Sequence, residues 1–355
     1  MRWELSEEQE MFQDSLRAWL DRFVSSQVVR GWLDAGDPGP FERRLASEGW
    51  LAVGLPEELG GEGGGLLELA LMAERFGHCA VPSSAWMASV LAAPALAGSP
   101  DVAAGGGAFA ALAVDADKPV DASRPIEIKG NALIGVVRSV LGADRARWLV
   151  VPVRTAAGRE LFLVDVNAAG VGISGRKLLD RSRTIADVTF DEVEATRLEV
   201  DAERVLTLAS LRAAVLVAAD SLGAAERMLE LAVEYSKQRR QFGVPIGSFQ
   251  AVKHAAAQML VAVEASRSIV YYAAASVEQG HEEAELHAAV AKAQVATAGE
   301  EVADSSLTLH GAVGYTWEHD LQLFYKRAKL NKCLFGSPRT WNERISSALP
   351  LVPVG

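Results

Sequence analysis

The stretch YSKQRRQFGVPIGSFQ, Tyr235–Gln250, decides how this chain is read. It lies between two helical segments. On its N-terminal side Leu222, Ala225, Leu229, Ala232 and Val233 share one apolar face. On its C-terminal side an alanine-rich helix runs to Gly280, a residue suited to the left-handed stop of a helix. A third helix is expected from about Glu283 to Leu309. The stretch therefore spans one helix, its exit and the start of the next.

Working outward, three textures follow one another. Residues 1–105 read as a helical domain. Leu16, Trp19, Leu20 and Phe23 form an apolar face, and Pro and Gly clusters at 37–40, 55–56 and 60–65 separate the helices. Residues 106–200 read as a small β domain, with short apolar runs at Phe109–Val114, Trp148–Val153 and Leu161–Val164. Gly105–Gly107 reads as the linker into it. Residues 201–355 return to helix and read as a C-terminal four-helix bundle. The fold class expected is α+β, in the order α domain, β domain, α domain.

The 355 residues are half apolar, enough for two or three packed units. An acidic chain without a basic run argues against nucleic acid or an anionic membrane surface as partner, though a local cleft can still be basic. Cys79 and Cys333 fit neither a zinc spacing nor a redox pair, and read as reduced thiols. The start, MRWELSEEQEMF, carries acids where a signal peptide carries its apolar core. The alanine-rich stretch Val252–Val277 is broken by Lys253, His254, Gln258, Glu264 and Arg267, so no membrane span is expected and a cytoplasmic location is.

Common catalytic motifs are missing. No G-x-G-x-x-G follows a strand, and Gly60–Gly65 lacks the Lys-Ser/Thr of a P-loop. G-x-S-x-G is absent. The six histidines are not expected to cluster, and His281 and His287, six apart, do not share a helical face. No metal site is expected.

The opening stretch closely resembles the acyl-CoA dehydrogenase motif Y-x-x-x-R-x-x-F-G-x-x-I-x-x-F-Q. GWLAVGLPEELGGEGGG (Gly49–Gly65), LLDRSRTIADVTFDEV (Leu178–Val193) and LHGAVGYTWEHD (Leu309–Asp320) resemble further segments of that family, so the resemblance covers nearly the whole chain. It implies a FAD flavoprotein that oxidises the Cα–Cβ bond of an acyl-CoA thioester, each FAD lying across a subunit interface. By family position Arg239 meets the neighbour's FAD, Gln241 adds polar contacts, and Phe242 packs near the cofactor. Thr308 stands where the family has Gln, and Gly243 and Gly311 admit close backbone approach. An electron-transfer flavoprotein is the implied electron acceptor.

The departures bear on mechanism. In KRAKLNKCLFGSPRT, Lys326–Thr340, the family's catalytic glutamate position falls on Phe335, whose ring cannot accept a proton. A second subgroup's base position falls on Ala213, and an arginine near it on Ala214. Arg212 is adjacent in sequence but points elsewhere on a helix. Ala113–Ser123 matches the family's flavin-contacting segment poorly, a Trp strand is replaced near Val137–Val140, and the second Gly of the late motif is Ala312. The sequence also resembles the short, β-type partner chains of actinobacterial heteromeric acyl-CoA dehydrogenases. The expectation is a chain with no catalytic base of its own that completes the FAD site of a longer catalytic homologue in an α2β2 complex. One alternative is a self-sufficient enzyme with a displaced base, the candidates being Asp220, Glu226 and Glu318. Another is a flavin-free homologue.

Overall fold

The computed structural model describes residues 5–57, 60–97, 99, 108–130 and 132–349. The Gly105–Gly107 linker lies outside the described residues. The N-terminal helices are α1 (Glu7–Asp21), α2 (Ser26–Ala35), α3 (Gly39–Ser47), α4 (Leu66–Cys79) and α5 (Ser84–Leu96). Ser6 and Gln9 form a reciprocal capping box at α1, and Gly36 at φ +65° ends α2. Leu16, Trp19 and Leu20 are buried, as the periodicity predicts, but Phe23 lies past the helix end and packs edge-on against Trp19.

Strands β1 (Ala110–Leu112), β2 (Ile126–Lys129), β3 (Ala132–Leu141), β4 (Trp148–Thr155), β5 (Gly158–Asp165), β6 (Val171–Gly175), β7 (Ile185–Glu194) and β8 (Thr196–Arg197) form one sheet. Its order is β6-β7-β3-β2-β4-β5-β8, with β1 parallel to β4. The three apolar runs fall on β1, β4 and β5. The β3–β7 register shifts between Val137 and Val140, and Ser139 there sits at φ +57° with its N–H on Asp187 Oδ1. This bulge occupies the place where the sequence departs from the Trp strand.

The C-terminal helices are α6 (Ala202–Gln238), α7 (Gln250–Glu278), α8 (Ala284–His310), α9 (Leu321–Cys333) and α10 (Pro338–Ala348). A two-strand ribbon, β9 (Arg240–Gln241) and β10 (Val244–Pro245), separates α6 from α7. Gly280 follows α7 at φ +62°, the expected left-handed stop.

Among the described residues α6 alone has the length and hydropathy of a membrane span, and 83% of its apolar window is buried inside the protein. What packs on it explains this. A Cβ on Gly77 of α4 would stand 2.1 Å from the Asp220 carbonyl oxygen, and one on Gly223 would stand 1.8 Å from the Glu74 carbonyl oxygen. The two helices thus meet backbone to backbone, which only glycine permits. The helices share one core with residues of β1, β3, β4, β5 and β7, and a second apolar cluster around Leu133, Leu149, Val151 and Val188 lies within the sheet.

Candidate functional site

The signature stretch is built as a projecting hairpin. Arg239 caps α6 with extended backbone; its N–H donates to Tyr235 O at 2.8 Å and its carbonyl accepts from Ile246 N–H at 2.8 Å. Phe242 and Gly243 turn the ribbon at φ +51° and +80°. Two positive φ values make the mirror-image turn that suits a two-residue hairpin, where Asn-Gly is the usual pair. A bulky aromatic in that position is strained. Arg239 through Gly243 are all exposed, Phe242 at 92%. Its ring meets Phe249 edge-on at 6.1 Å, and Arg240 Nη1 donates to Gly243 O at 3.1 Å.

The late motif lies at the same end of the bundle. Tyr235 stacks on His310 with ring centroids 4.7 Å apart, which sets the end of α6 beside the end of α8. Gly311 leaves α8 at φ +62°, and Tyr315 and Trp317 beyond it are 74% and 59% exposed. Arg30 bonds the Trp317 and Glu318 carbonyls and pairs with Asp320 at 2.7 Å, while Lys326 Nζ lies 3.5 Å from the centre of the Trp317 ring. Thr308 is exposed, but its hydroxyl donates to Asp304 O at 2.8 Å within its own helix.

The positions aligned with a base are of the opposite kind. Ala213 is wholly buried and Phe335 is 1% exposed. Phe335 N–H donates to Ala116 O at 2.6 Å, Trp341 Nε1 donates to Phe335 O at 3.0 Å, and a Cβ on Gly336 would press on Pro119. The segment is thereby closed onto residues 113–123, the stretch that matches poorly in sequence. Asp121 there receives Ser210 Oγ at 2.7 Å and Arg344 Nη2 at 2.8 Å.

The displaced-base candidates divide. Asp220 is fully buried between Arg183 and Arg327 and receives Asn331 Nδ2. Burial alone would push its carboxyl up, but the two guanidinium groups hold it at about 2, so it is a poor proton acceptor at neutral pH. Glu226 pairs with Arg267 at 2.8 Å. Glu318 is an exposed residue in the turn before α9. Sequence reasoning missed Glu74, which is buried on the apolar face of α4, bonds Arg267 and Tyr271, and is raised by burial to about 6. Its signal was an acid standing among Ala70, Ala73 and Gly77 on an otherwise apolar face.

One expectation about histidines fails. His281, Glu283 and His287 bring ligand atoms within 4.8 Å of one another. Helical spacing does not govern them, because His281 precedes α8 in the turn. His281 Nδ1 accepts from the Glu283 N–H at 3.1 Å, which leaves the proton of a neutral ring on its other nitrogen. His287 Nδ1 is engaged with Ser276 Oγ at 2.7 Å. Cys79 and Cys333 are free thiols, as expected.

Comparison with known proteins gives the class. The family model for the acyl-CoA dehydrogenase C-terminal domain matches residues 206–348, and that for the N-terminal domain matches residues 6–103. The acyl-CoA dehydrogenase IpdE2 of Mycolicibacterium smegmatis is 31% identical over 350 residues, covering 97% of this chain and 99% of that protein. The solved ChsE4-ChsE5 complex from Mycobacterium tuberculosis contains a chain that superposes with a TM-score of 0.84 at 26% identity, with full coverage of both chains. A Tcur3481-Tcur3483 steroid acyl-CoA dehydrogenase variant superposes equally well at 26% identity, over 96% of this chain and 97% of that one. The chain belongs to the acyl-CoA dehydrogenase family, with its helical, β and helical layers in the family's order. That places it among oxidoreductases of acyl-CoA thioesters, whose cofactor is FAD. The exposed Arg239 fork and the open turn at Gly243 fit the dianionic pyrophosphate end of that cofactor. The side chains of Ala213 and Phe335 are buried and apolar and offer no proton acceptor.

Proposed function

We propose that this chain is the non-catalytic subunit of a heteromeric acyl-CoA dehydrogenase and lends half a FAD site to a longer catalytic homologue. The observation that carries this is a contrast along one chain. Phe335, where the family has its base, is 1% exposed and bonded into the core, whereas Phe242, in the motif that meets a neighbour's cofactor, is 92% exposed. A large apolar side chain held in water on a strained turn is what a partner surface covers.

In this reading Arg239 reaches the partner's FAD pyrophosphate, Gln241 adds polar contacts, and Phe242 packs beside the cofactor. Gly243 and Gly311 admit the approach. Thr308, whose hydroxyl already serves its own helix, contributes shape more than hydrogen bonding. Bound FAD supplies the hydride acceptor for α,β-dehydrogenation, and the base comes from the partner. The similarity to a chain of the two-component ChsE4-ChsE5 complex supports the heteromeric assembly. The similarity to a steroid acyl-CoA dehydrogenase supports a bulky acyl-CoA substrate for the complex. An electron-transfer flavoprotein is the proposed electron acceptor.

The test is Arg239→Ala in the co-expressed complex. Loss of FAD with assembly intact supports the half-site. Unchanged FAD content contradicts it and favours a flavin-free role for this chain.

A further inference from the structure

A second place in the molecule is built like a ligand site and is used by nothing described so far. Between α3, the turn after it, α4, α5 and the start of β1 lies a cavity of about 910 Å³. That is the size of a pocket for a substantial small molecule. Its walls are mainly apolar and include Leu51, Leu69, Val90, Leu96 and Phe109. It shares no lining residue with the Arg239–Gly243 hairpin or with the segment around Phe335.

Three arginines line it, in three different states. Arg43 is exposed at the rim. Arg145 is engaged by Glu42, with Nε–Oε2 at 2.9 Å and Nη2–Oε2 at 2.6 Å. Arg212, the one lining residue from α6, is half-buried, and its Nε is buried without a hydrogen-bond partner among the described residues. Burial pushes its pKa down, opposed by the attraction of Glu278. A guanidinium keeps its charge at any physiological pH, so it draws an anion rather than releasing its proton. Among the described residues Arg212 is therefore an uncommitted cation in the wall of a mainly apolar chamber. Helical phasing accounts for it: Ala213 and Ala214, its neighbours, are wholly buried in the core, and Arg212 alone turns into the cavity.

We infer that this cavity binds an amphipathic carboxylate, an apolar body with its anionic end on Arg212. The apolar walls take the body, and the planar fork takes the carboxylate in paired hydrogen bonds. The inference stands whether or not the chain donates half a flavin site, because its test needs neither flavin nor partner.

The experiment is calorimetric titration of the full chain with sodium decanoate and, separately, with decan-1-ol, which has the same tail and no charge. Decanoate is expected to bind saturably at a single site, with the alcohol about 10-fold weaker or more, as befits one charge-assisted hydrogen-bonded pair. Arg212→Gln should bring the acid down to the alcohol with the melting temperature unchanged, and Arg212→Lys should keep part of the preference. Val90→Trp, which fills the chamber, should remove both. Equal binding of acid and alcohol, a preference that survives Arg212→Gln, or no saturable binding overturns the inference.

Discussion

Arg327 and Asp220 meet in a two-pronged ion pair, Nε to Oδ1 at 2.8 Å and Nη2 to Oδ2 at 2.6 Å, with both side chains wholly excluded from water. Arg183 joins the same carboxylate at 2.8 Å, and Arg327 also reaches Val81 O and Ser83 Oγ. One carboxylate on α6 thus ties α9, the turn before α5 and the segment entering β7. Removing it leaves two buried guanidinium groups without their counter-charge. Asp220→Asn is expected to cost about 3–5 kcal/mol, read from urea unfolding. The pH dependence follows from the depressed pKa. The folded value is about 2 against an ordinary 3.8, so the contribution is complete above the ordinary value and is lost as pH falls through the folded one. The gap between wild type and Asp220→Asn should shrink on acidification from pH 5 toward the folded pKa. A constant gap would contradict the assignment.

Lys292 titrates with the opposite sign. It is buried with its Nζ on Asn331 O at 2.9 Å and Lys332 O at 3.3 Å, and burial lowers its pKa from 10.5 to about 7. Between those two values the unfolded chain holds a proton that the folded chain does not, so this residue makes stability rise with pH. Melting temperatures across that window should rise more steeply for wild type than for Lys292→Met. Parallel curves would show that Lys292 keeps its ordinary pKa.

Phe335→Glu restores the family's residue type at the base position but not its surroundings. The new carboxylate would be buried in a place that now holds an apolar ring. The variant should lose about 3 kcal/mol or more and gain no acyl-CoA dehydrogenation by the isolated chain. Turnover appearing in that variant would mean that the reacting end of the site is intact.

Phe242→Asn separates folding from docking. The positive φ at Phe242 suits asparagine better than phenylalanine, so the isolated chain should melt at the same temperature or slightly higher. Its association with the catalytic homologue should weaken, measured by the fraction co-purified. Unimpaired association would remove Phe242 from the interface.

Periodicity and turn residues disclosed the helices and the main strands, because an apolar stripe or run must be buried whatever it packs against. The motif around Arg239 disclosed the family. The hairpin that carries it was hidden, because Phe-Gly is not the pair such a turn ordinarily uses. The ion pairs of Asp220 were hidden for another reason: its partners Arg183 and Arg327 lie 37 and 107 residues away, and no local pattern links them. The cavity that Arg212 enters was hidden because it is lined by parts of the chain far apart in sequence. The approach of His281 to His287 was hidden because helical spacing does not apply once one of them lies in a turn.

The central claim is that this chain holds half a flavin site and no base. It is tested most directly by the flavin content of the purified chain, by itself and after co-expression with a longer homologue that carries the glutamate. The account predicts no flavin alone and a single FAD for each pair of chains in the complex. A full complement of FAD on the isolated chain would contradict it and return the search to a base within this sequence.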